Sequence, residues 1–218
     1  MILPKNPFRR LLERPKVSHF IEILDILYPK KYASSWDNVG LLVEPIVDKP
    51  LNKVLLTNDL TESVCDEAIR GEVELIISYH PPLFRPLKTV RGITGDWKER
   101  IVAKCLRNDV AIYSPHTIAD AITGGVNDYL LLPFGPLSSV PIEPDSDDIL
   151  IGSGRKSILQ NALSIEEIIN RLKIHLKTNF LRVSFGQNMN FGKFFCFFFL
   201  FYPFYPFYPF SLSPLLFF

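Results

Sequence analysis

The sequence predicts an α/β protein: a parallel or mixed sheet flanked by helices, followed by a second α/β unit that is opened and not finished. Three observations lead there. Short β-rich runs alternate with helical patterns between residues 53 and 114, helix-start signals sit at the right places between them, and the same alternation restarts near residue 158.

The elements follow in order. VSHFIEILDILY at 17–28 puts Phe20, Ile21, Leu24 and Leu27 on one helical face. KVLLTN (53–58) and ELIISY (74–79) read as strands, with ESVCDEAIR (62–70) as the helix between them. DWKERIVAKCLRND (96–109) opens with Asp96 and Glu99 in a capping-box pattern and turns Ile101, Val102, Cys105 and Leu106 to one side. VAIYS (110–114) is the next strand. Residues 133–157, rich in Pro, Gly, Ser and Asp, read as a linker. Ser164 and Glu167 then form a second capping-box pattern before an amphipathic helix carrying Ile165, Ile168, Ile169, Leu172 and Leu176, and FLRVSF (180–185) reads as one more strand.

The expected organisation is a disordered lead over 1–16, an N-terminal α/β half over 17–132, the linker, the start of a second half over 158–186, and a tail over 187–218. The lead is basic but has no apolar core and carries Glu13, so it is not a secretory signal; mitochondrial import is a minor alternative. The tail holds twelve of the eighteen phenylalanines from Phe191 onward and repeats Phe-Tyr-Pro three times from Phe201. Its four prolines argue against a lipid-exposed helix, so it reads as a low-complexity segment outside the fold, with a membrane anchor the lesser alternative.

Charge excludes little beyond nucleic acid. With 24 Lys+Arg against 23 Asp+Glu there is no basic stripe for direct nucleic-acid contact. The three cysteines, Cys65, Cys105 and Cys196, have no C-x-x-C spacing, so neither a zinc knuckle nor a disulfide framework is expected. Cys65 and Cys105 fall at core positions of their helices and read as buried thiols in a reducing compartment.

Three polar clusters lie just past the carboxyl ends of the three predicted strands: Thr57-Asn58-Asp59, Tyr79-His80, and Ser114-Pro115-His116 with Asp120 beyond. Ligands of open α/β sheets bind there, because adjacent strands deliver their loops to one crevice. An imidazole and a carboxylate such as His80 and Asp120 suit zinc, iron or manganese, and His116 shares a face with Asp120 if that segment is helical. Pattern alone leaves a second reading open for each: His80 closing a buried strand, and Asp120 as a helix-start acid. In SSWDNVGLLV, Asp37-Asn38 reads as a turn with Trp36 packed beneath it, and Gly124-Gly125 as a helix boundary.

Five blocks in order, SSWDNVGLLVEP (34–45), LLTNDLTESVCDEAI (55–69), ISYHPPLFRPLKTV (77–90), WKERIVAKCLRNDVAIYSPHTIADA (97–121) and GGVNDYLL (124–131), resemble the Nif-three-like family, also known as GTP cyclohydrolase type-two homologues. The resemblance runs from about Val17 to Gly186. It implies a two-half α/β fold, a toroidal homo-hexamer and a dinuclear metal centre whose ligands are a His-His pair, the aspartate of an H-T-x-x-D motif, and a late His and Glu. His80 matches the second His of the pair, Asp120 the aspartate, and His116 the motif histidine that lines the cleft, a proton-transfer candidate. Tyr79 stands where the first His of the pair is found, and no His, Asp or Glu follows His175, so at most one weakly held divalent ion is expected here. Three functions follow as expectations: a metal-dependent hydrolase for a nucleotide or other phosphate-bearing small molecule, a non-catalytic partner of transcription co-regulators in cytoplasm or nucleus, or a truncated inactive product of a longer gene.

Overall fold

A computed structural model describes residues 15–184 together with 194–197 and 215–217. The chain divides into two compact units, Met1–Ile118 and Ala119–Phe218.

The first unit is built on a four-stranded sheet in the order β1-β4-β3-β2, with β1 Gly40–Val43, β2 Val54–Thr57, β3 Leu75–Ser78 and β4 Ala111–Ser114. β2, β3 and β4 run parallel, and β1 joins β4 antiparallel at the edge, so the α/β expectation of a mixed sheet holds. Helix α1 (Val17–Leu27) covers one face, where Val17, Ile21 and Leu24 meet Leu75, Ala111 and Tyr113. Helices α2 (Glu62–Arg70) and α3 (Trp97–Asn108) cover the other, packing Cys65, Ala68, Ile101, Val102 and Cys105 onto Val43, Ile76 and Ile112. Coverage on both faces is why LIIS and AIYS read as continuous apolar runs instead of alternating. Each such aliphatic side chain, fully buried, contributes about 1.5–3 kcal/mol.

Local signals place these boundaries. The Asp96 carboxylate accepts from the N–H groups of Lys98 and Glu99 at 2.8 and 3.0 Å, and Glu99 accepts from the Asp96 N–H at 2.9 Å, completing the capping box. Gly40 opens β1 at φ +88, where an L side chain is strained, and a Cβ there would collide with the Lys30 side chain. Leu27, placed on the core face by periodicity, is 54% exposed, because the inner stripe of α1 runs through Val17, Ile21 and Leu24 instead. Pro15 and Lys16, expected in the lead, are tied down: the Leu51 N–H donates to the Pro15 carbonyl at 2.7 Å and Lys16 bridges Pro50. The rest of the lead lies outside the described residues.

Helix α4 (His116–Ala121) begins in the first unit, and its last three residues belong to the second. The second unit continues with α5 (Val126–Leu131), whose N-cap is Gly125, in line with a helix boundary at that glycine pair. Residues 133–157, expected as a linker, instead carry β5 (Pro136–Val140), the short antiparallel pair β6 (Glu143–Pro144) and β7 (Gly152–Ser153), and the start of β8 (Arg155–Leu159), which pairs antiparallel with β5. The turn-forming residues that suggested a linker make the tight connections, and the buried Arg155 holds them. Its guanidinium donates to the carbonyls of Gly152, Gly154 and Ala121 at 2.9, 2.9 and 2.8 Å and pairs with Asp128 at 3.1 Å.

Helix α6 (Ile165–Leu176) buries Ile168 and Leu172 against Leu131, Phe134 and Leu159. Ser164 caps it by accepting from the Glu167 N–H at 3.2 Å; the Glu167 carboxylate goes to Arg171 at 2.5 Å. β9 (Arg182–Ser184) falls within the expected 180–185 strand. Of the phenylalanine-rich tail, the backbone of β10 (Phe194–Phe197) pairs antiparallel with β8 and that of β11 (Leu215–Phe217) pairs parallel with β9; the rest lies outside the described residues. Among the described residues no helix is long and apolar enough to cross a membrane.

Candidate functional site

Because β4, β3 and β2 are parallel neighbours, their carboxyl ends deliver three loops to one edge of the sheet. Backbone bonds lock these loops together: the Tyr79 N–H donates to the Thr57 carbonyl and the His80 N–H to the Asn58 carbonyl, both at 2.9 Å. Ser114 Oγ donates to the Tyr79 carbonyl at 2.9 Å and Ser78 Oγ to the His80 carbonyl at 2.7 Å. Pro81 and Pro82 end the strand and are both buried.

This scaffold brings His80 and His116 together, with ring centroids 5.7 Å apart and planes at 72°. Each imidazole is held by a carboxylate through Nδ1. His80 Nδ1 is 2.9 Å from Asp59 Oδ1, and His116 Nδ1 is 2.9 Å from both carboxylate oxygens of Asp37. A carboxylate only accepts, so Nδ1 carries the proton in both rings and Nε2 is the basic nitrogen of the neutral imidazole.

The two pairs differ in environment. The side chains of His116 and Asp37 are 5% and 0% exposed, whereas those of His80 and Asp59 are 23% and 56% exposed. The inner pair therefore fixes its geometry more strongly, since a partly solvated ion pair contributes only about 0–1 kcal/mol. Burial alone would raise the Asp37 carboxyl, but hydrogen bonds from the His116 ring, the Thr117 hydroxyl and the Asn38 N–H hold it below its ordinary value. His116 itself sits at φ +29, a backbone region seldom occupied by a non-glycine residue and held here by the Asp37 and Thr117 contacts.

A collar of rings closes around His116: Tyr79 at 5.7 Å, Trp36 at 6.2 Å and Phe84 at 6.4 Å. Trp36 is 52% exposed, so it stands at the mouth beside Phe84, 5.9 Å away, and is not packed beneath the 34–38 turn as the sequence suggested. The turn's buried side chain is Asp37, whose carboxylate is drawn to His116 and Thr117. Next to this collar, sharing Tyr79 with it, an open cleft of about 410 Å³ is lined by Leu56, Thr57, Asn58, Ile77, Tyr79 and Pro115.

Asp120 lies on α4 one turn after His116, so the segment is helical as the shared-face reading requires. It is the fifth residue of a six-residue helix, which removes the helix-start role. Its carbonyl accepts from the Asn127 amide at 3.0 Å. Sequence reasoning noted Asp59 only as part of a polar cluster and took Asp37 as a turn former; the one signal for Asp37 was its place in the first of the five family-like blocks.

The metal expectation can be set against these side chains. His80 and His116 offer one Nε2 each, and among the described residues no group of three or more His, Cys, Asp or Glu side chains is arranged to share an ion. Protein metal sites ordinarily supply at least three ligands. The described set falls short of a complete centre.

The fold and this strand-end cluster define an α/β protein of the Duf34/NIF3 class. The family model described as Duf34/NIF3 (NGG1p interacting factor 3) matches residues 15–193, and the chain belongs to that family. It is 43% identical over 164 residues to NIF3-like protein 1 of Drosophila melanogaster, covering 75% of this chain and 55% of that protein. It is 44% identical over 110 residues to the GTP cyclohydrolase 1 type 2 homolog of Bacillus subtilis, covering 50% of this chain and 29% of that protein. The chain thus spans about half or less of the length of these relatives. The crystal structure of a Bacillus cereus protein related to NIF3 superposes with a TM-score of 0.67 over 78% of this chain and 72% of that one, at 20% identity, a likeness of fold.

Proposed function

We propose that the chain carries a hydrolase-like site for a nucleotide or other phosphate-bearing small molecule at the strand ends, with His116 as the proton-transfer group. The observation that carries this reading is the pair of carboxylate-anchored imidazoles, 5.7 Å apart and both in ring contact with Tyr79, which also lines the neighbouring cleft. An imidazole whose Nδ1 proton is held by a buried carboxylate presents a fixed basic Nε2, the arrangement general base catalysis uses. The B. subtilis relative's name, GTP cyclohydrolase 1 type 2 homolog, supports a nucleotide as substrate class. The proposal includes a single divalent ion, zinc, iron or manganese, on His80 and Asp120; two donors hold an ion weakly, and the role of His116 does not depend on it.

The test is turnover of a nucleotide panel and of p-nitrophenyl phosphate by the full chain, across pH, beside His116→Ala and His80→Ala. Activity that disappears with His116→Ala supports the reading; activity unchanged in both variants sinks it. Metal content of the purified chain, with His80→Ala and Asp120→Ala beside it, tests the ion.

A second reading, a non-catalytic partner of transcription co-regulators, is favoured by the family description and by the edge strand β2, where Val54 and Leu56 are 38% and 74% exposed. Under it, capture of the partner survives His80→Ala and His116→Ala and is lost with Leu56→Lys.

A further inference from the structure

The two cysteines of the first unit meet although forty residues separate them. Cys65 on α2 and Cys105 on α3 have sulfurs 3.7 Å apart, and both residues are 0% exposed. Helix packing sets the approach, and a ladder of ion pairs on the same two helices fixes it. Arg100 makes a two-pronged contact with Glu62 at 2.8 and 2.6 Å, and Lys104 pairs with Asp66 at 2.5 Å. Asp66 and Lys104 adjoin the two cysteines and Glu62 lies three residues before Cys65, so the ion pairs hold the two helices together beside the sulfurs.

The geometry points to Cys65 and Cys105 as a reversible disulfide pair that locks α2 to α3 when the chain meets peroxide. The sulfurs have to close to about 2.05 Å, a movement well under the width of one side chain. The two thiols are not equivalent. With Cys105 as donor of the S–H bond the two sulfurs share, that bond and the nearby Lys104 ammonium together outweigh burial and favour the Cys65 thiolate. That same hydrogen bond, with burial, disfavours ionisation of Cys105. Cys65 is therefore the attacking thiol and Cys105 the resolving one.

In the first step the Cys65 thiolate attacks one oxygen of hydrogen peroxide, the O–O bond breaks, and the departing hydroxide takes a proton to leave as water. Cys65 is left as a sulfenic acid. Cys105, deprotonated as it reacts, then attacks the Cys65 sulfur; the S–O bond breaks, the S–S bond forms, and a second water leaves. Two thiols lose two electrons and peroxide gains them, giving one disulfide and two waters. A dithiol reductant reverses the bridge by exchange. Since both sulfurs are buried, the reaction waits on brief openings of the nine-residue α2.

This inference is independent of the hydrolase reading, and its test uses no activity. The full chain and a Cys196→Ser variant, which removes the third thiol, are treated with hydrogen peroxide while folded, alkylated, digested and mapped by mass spectrometry. The expected result in both is a reducible peptide pair joining Cys65 to Cys105, with a thermal midpoint raised by roughly 5–10 °C and restored by reductant. Cys105→Ala should give neither the link nor the rise, and Cys65 should then carry added oxygen. The inference is overturned if the folded chain keeps both residues as thiols, carries them to sulfinic or sulfonic acid without a bridge, or links them only after urea unfolding.

Discussion

His116 Nδ1 lies 2.9 Å from both carboxylate oxygens of Asp37, and the Asp37 side chain is fully buried beneath it. The same carboxylate accepts from the hydroxyl and N–H of Thr117 at 2.6 and 3.2 Å. One side chain thus sets the proton position of the imidazole, its orientation, and the φ +29 backbone that starts α4. Replacing it with the isosteric amide in Asp37→Asn keeps the volume and removes the charge. The expected loss is about 2 kcal/mol of stability, the range for hydrogen bonds to a buried charged group. Urea denaturation measures it, and His116 ring-nitrogen NMR should show the Nδ1 proton signal shifted or lost. A variant with unchanged stability and an unchanged Nδ1 signal would show that the carboxylate does not govern the ring.

The same pair predicts the direction of an acid effect. The folded Asp37 carboxyl titrates below its ordinary 3.8, so its contribution is complete above that value and is lost as pH falls through the lower folded one. Glu74, held by the N–H groups of Asn52 and Lys53, is likewise lowered from 4.5. Urea midpoints of the wild type and Asp37→Asn should therefore differ most at about pH 5 and above and converge as the pH falls below 3.8. A gap that widens on acidification has the wrong sign for this mechanism.

In the second unit the decisive buried charge is Arg155, 1% exposed, which among the described residues pairs with one carboxylate, Asp128 at 3.1 Å. Asp128 also accepts from Ser139 Oγ and the Gly124 N–H at 2.5 and 2.7 Å. Asp128→Asn leaves a buried guanidinium uncompensated, which costs about 3–5 kcal/mol. Arg155→Met with Asp128→Asn removes both charges and should recover a substantial part of that loss. If the double variant is no more stable than Asp128→Asn alone, the loss does not come from the uncompensated Arg155 charge.

Those two pairs show what the chain discloses before folding and what it withholds. The helices and parallel strands of the first unit were legible because their stabilising signals are local: Asp96 and Glu99 are three residues apart, and α2 occupies residues 62–70 just as its pattern reads. His80 and His116 were legible as strand-end residues. Their carboxylates were not, because Asp37 and His116 are seventy-nine residues apart and no periodicity connects them. The 133–157 segment failed for a related reason. Its Pro, Gly and Ser composition describes turns faithfully, but the contacts that tie those turns into the unit include distant ones, from Arg155 to the Ala121 carbonyl and the Asp128 carboxylate, and the pairing of β8 with β5.

Tyr79 gives the sharpest test of the metal reading. The family resemblance places a His-His pair where this chain has Tyr79-His80, and the Tyr79 ring is 4.9 Å from His80 and 5.7 Å from His116. Tyr79→His would add a third imidazole to a cluster that now offers two, reaching the ligand number typical of a protein zinc site. Zinc titration by calorimetry should then show affinity at least tenfold above wild type, a gain of about 1.4 kcal/mol. The gain should disappear when His80→Ala is added, because the new donor acts only with its neighbours. Equal zinc affinity in wild type and Tyr79→His would mean that these rings do not point toward a common ion, and the site would stand on the Asp37–His116 pair alone.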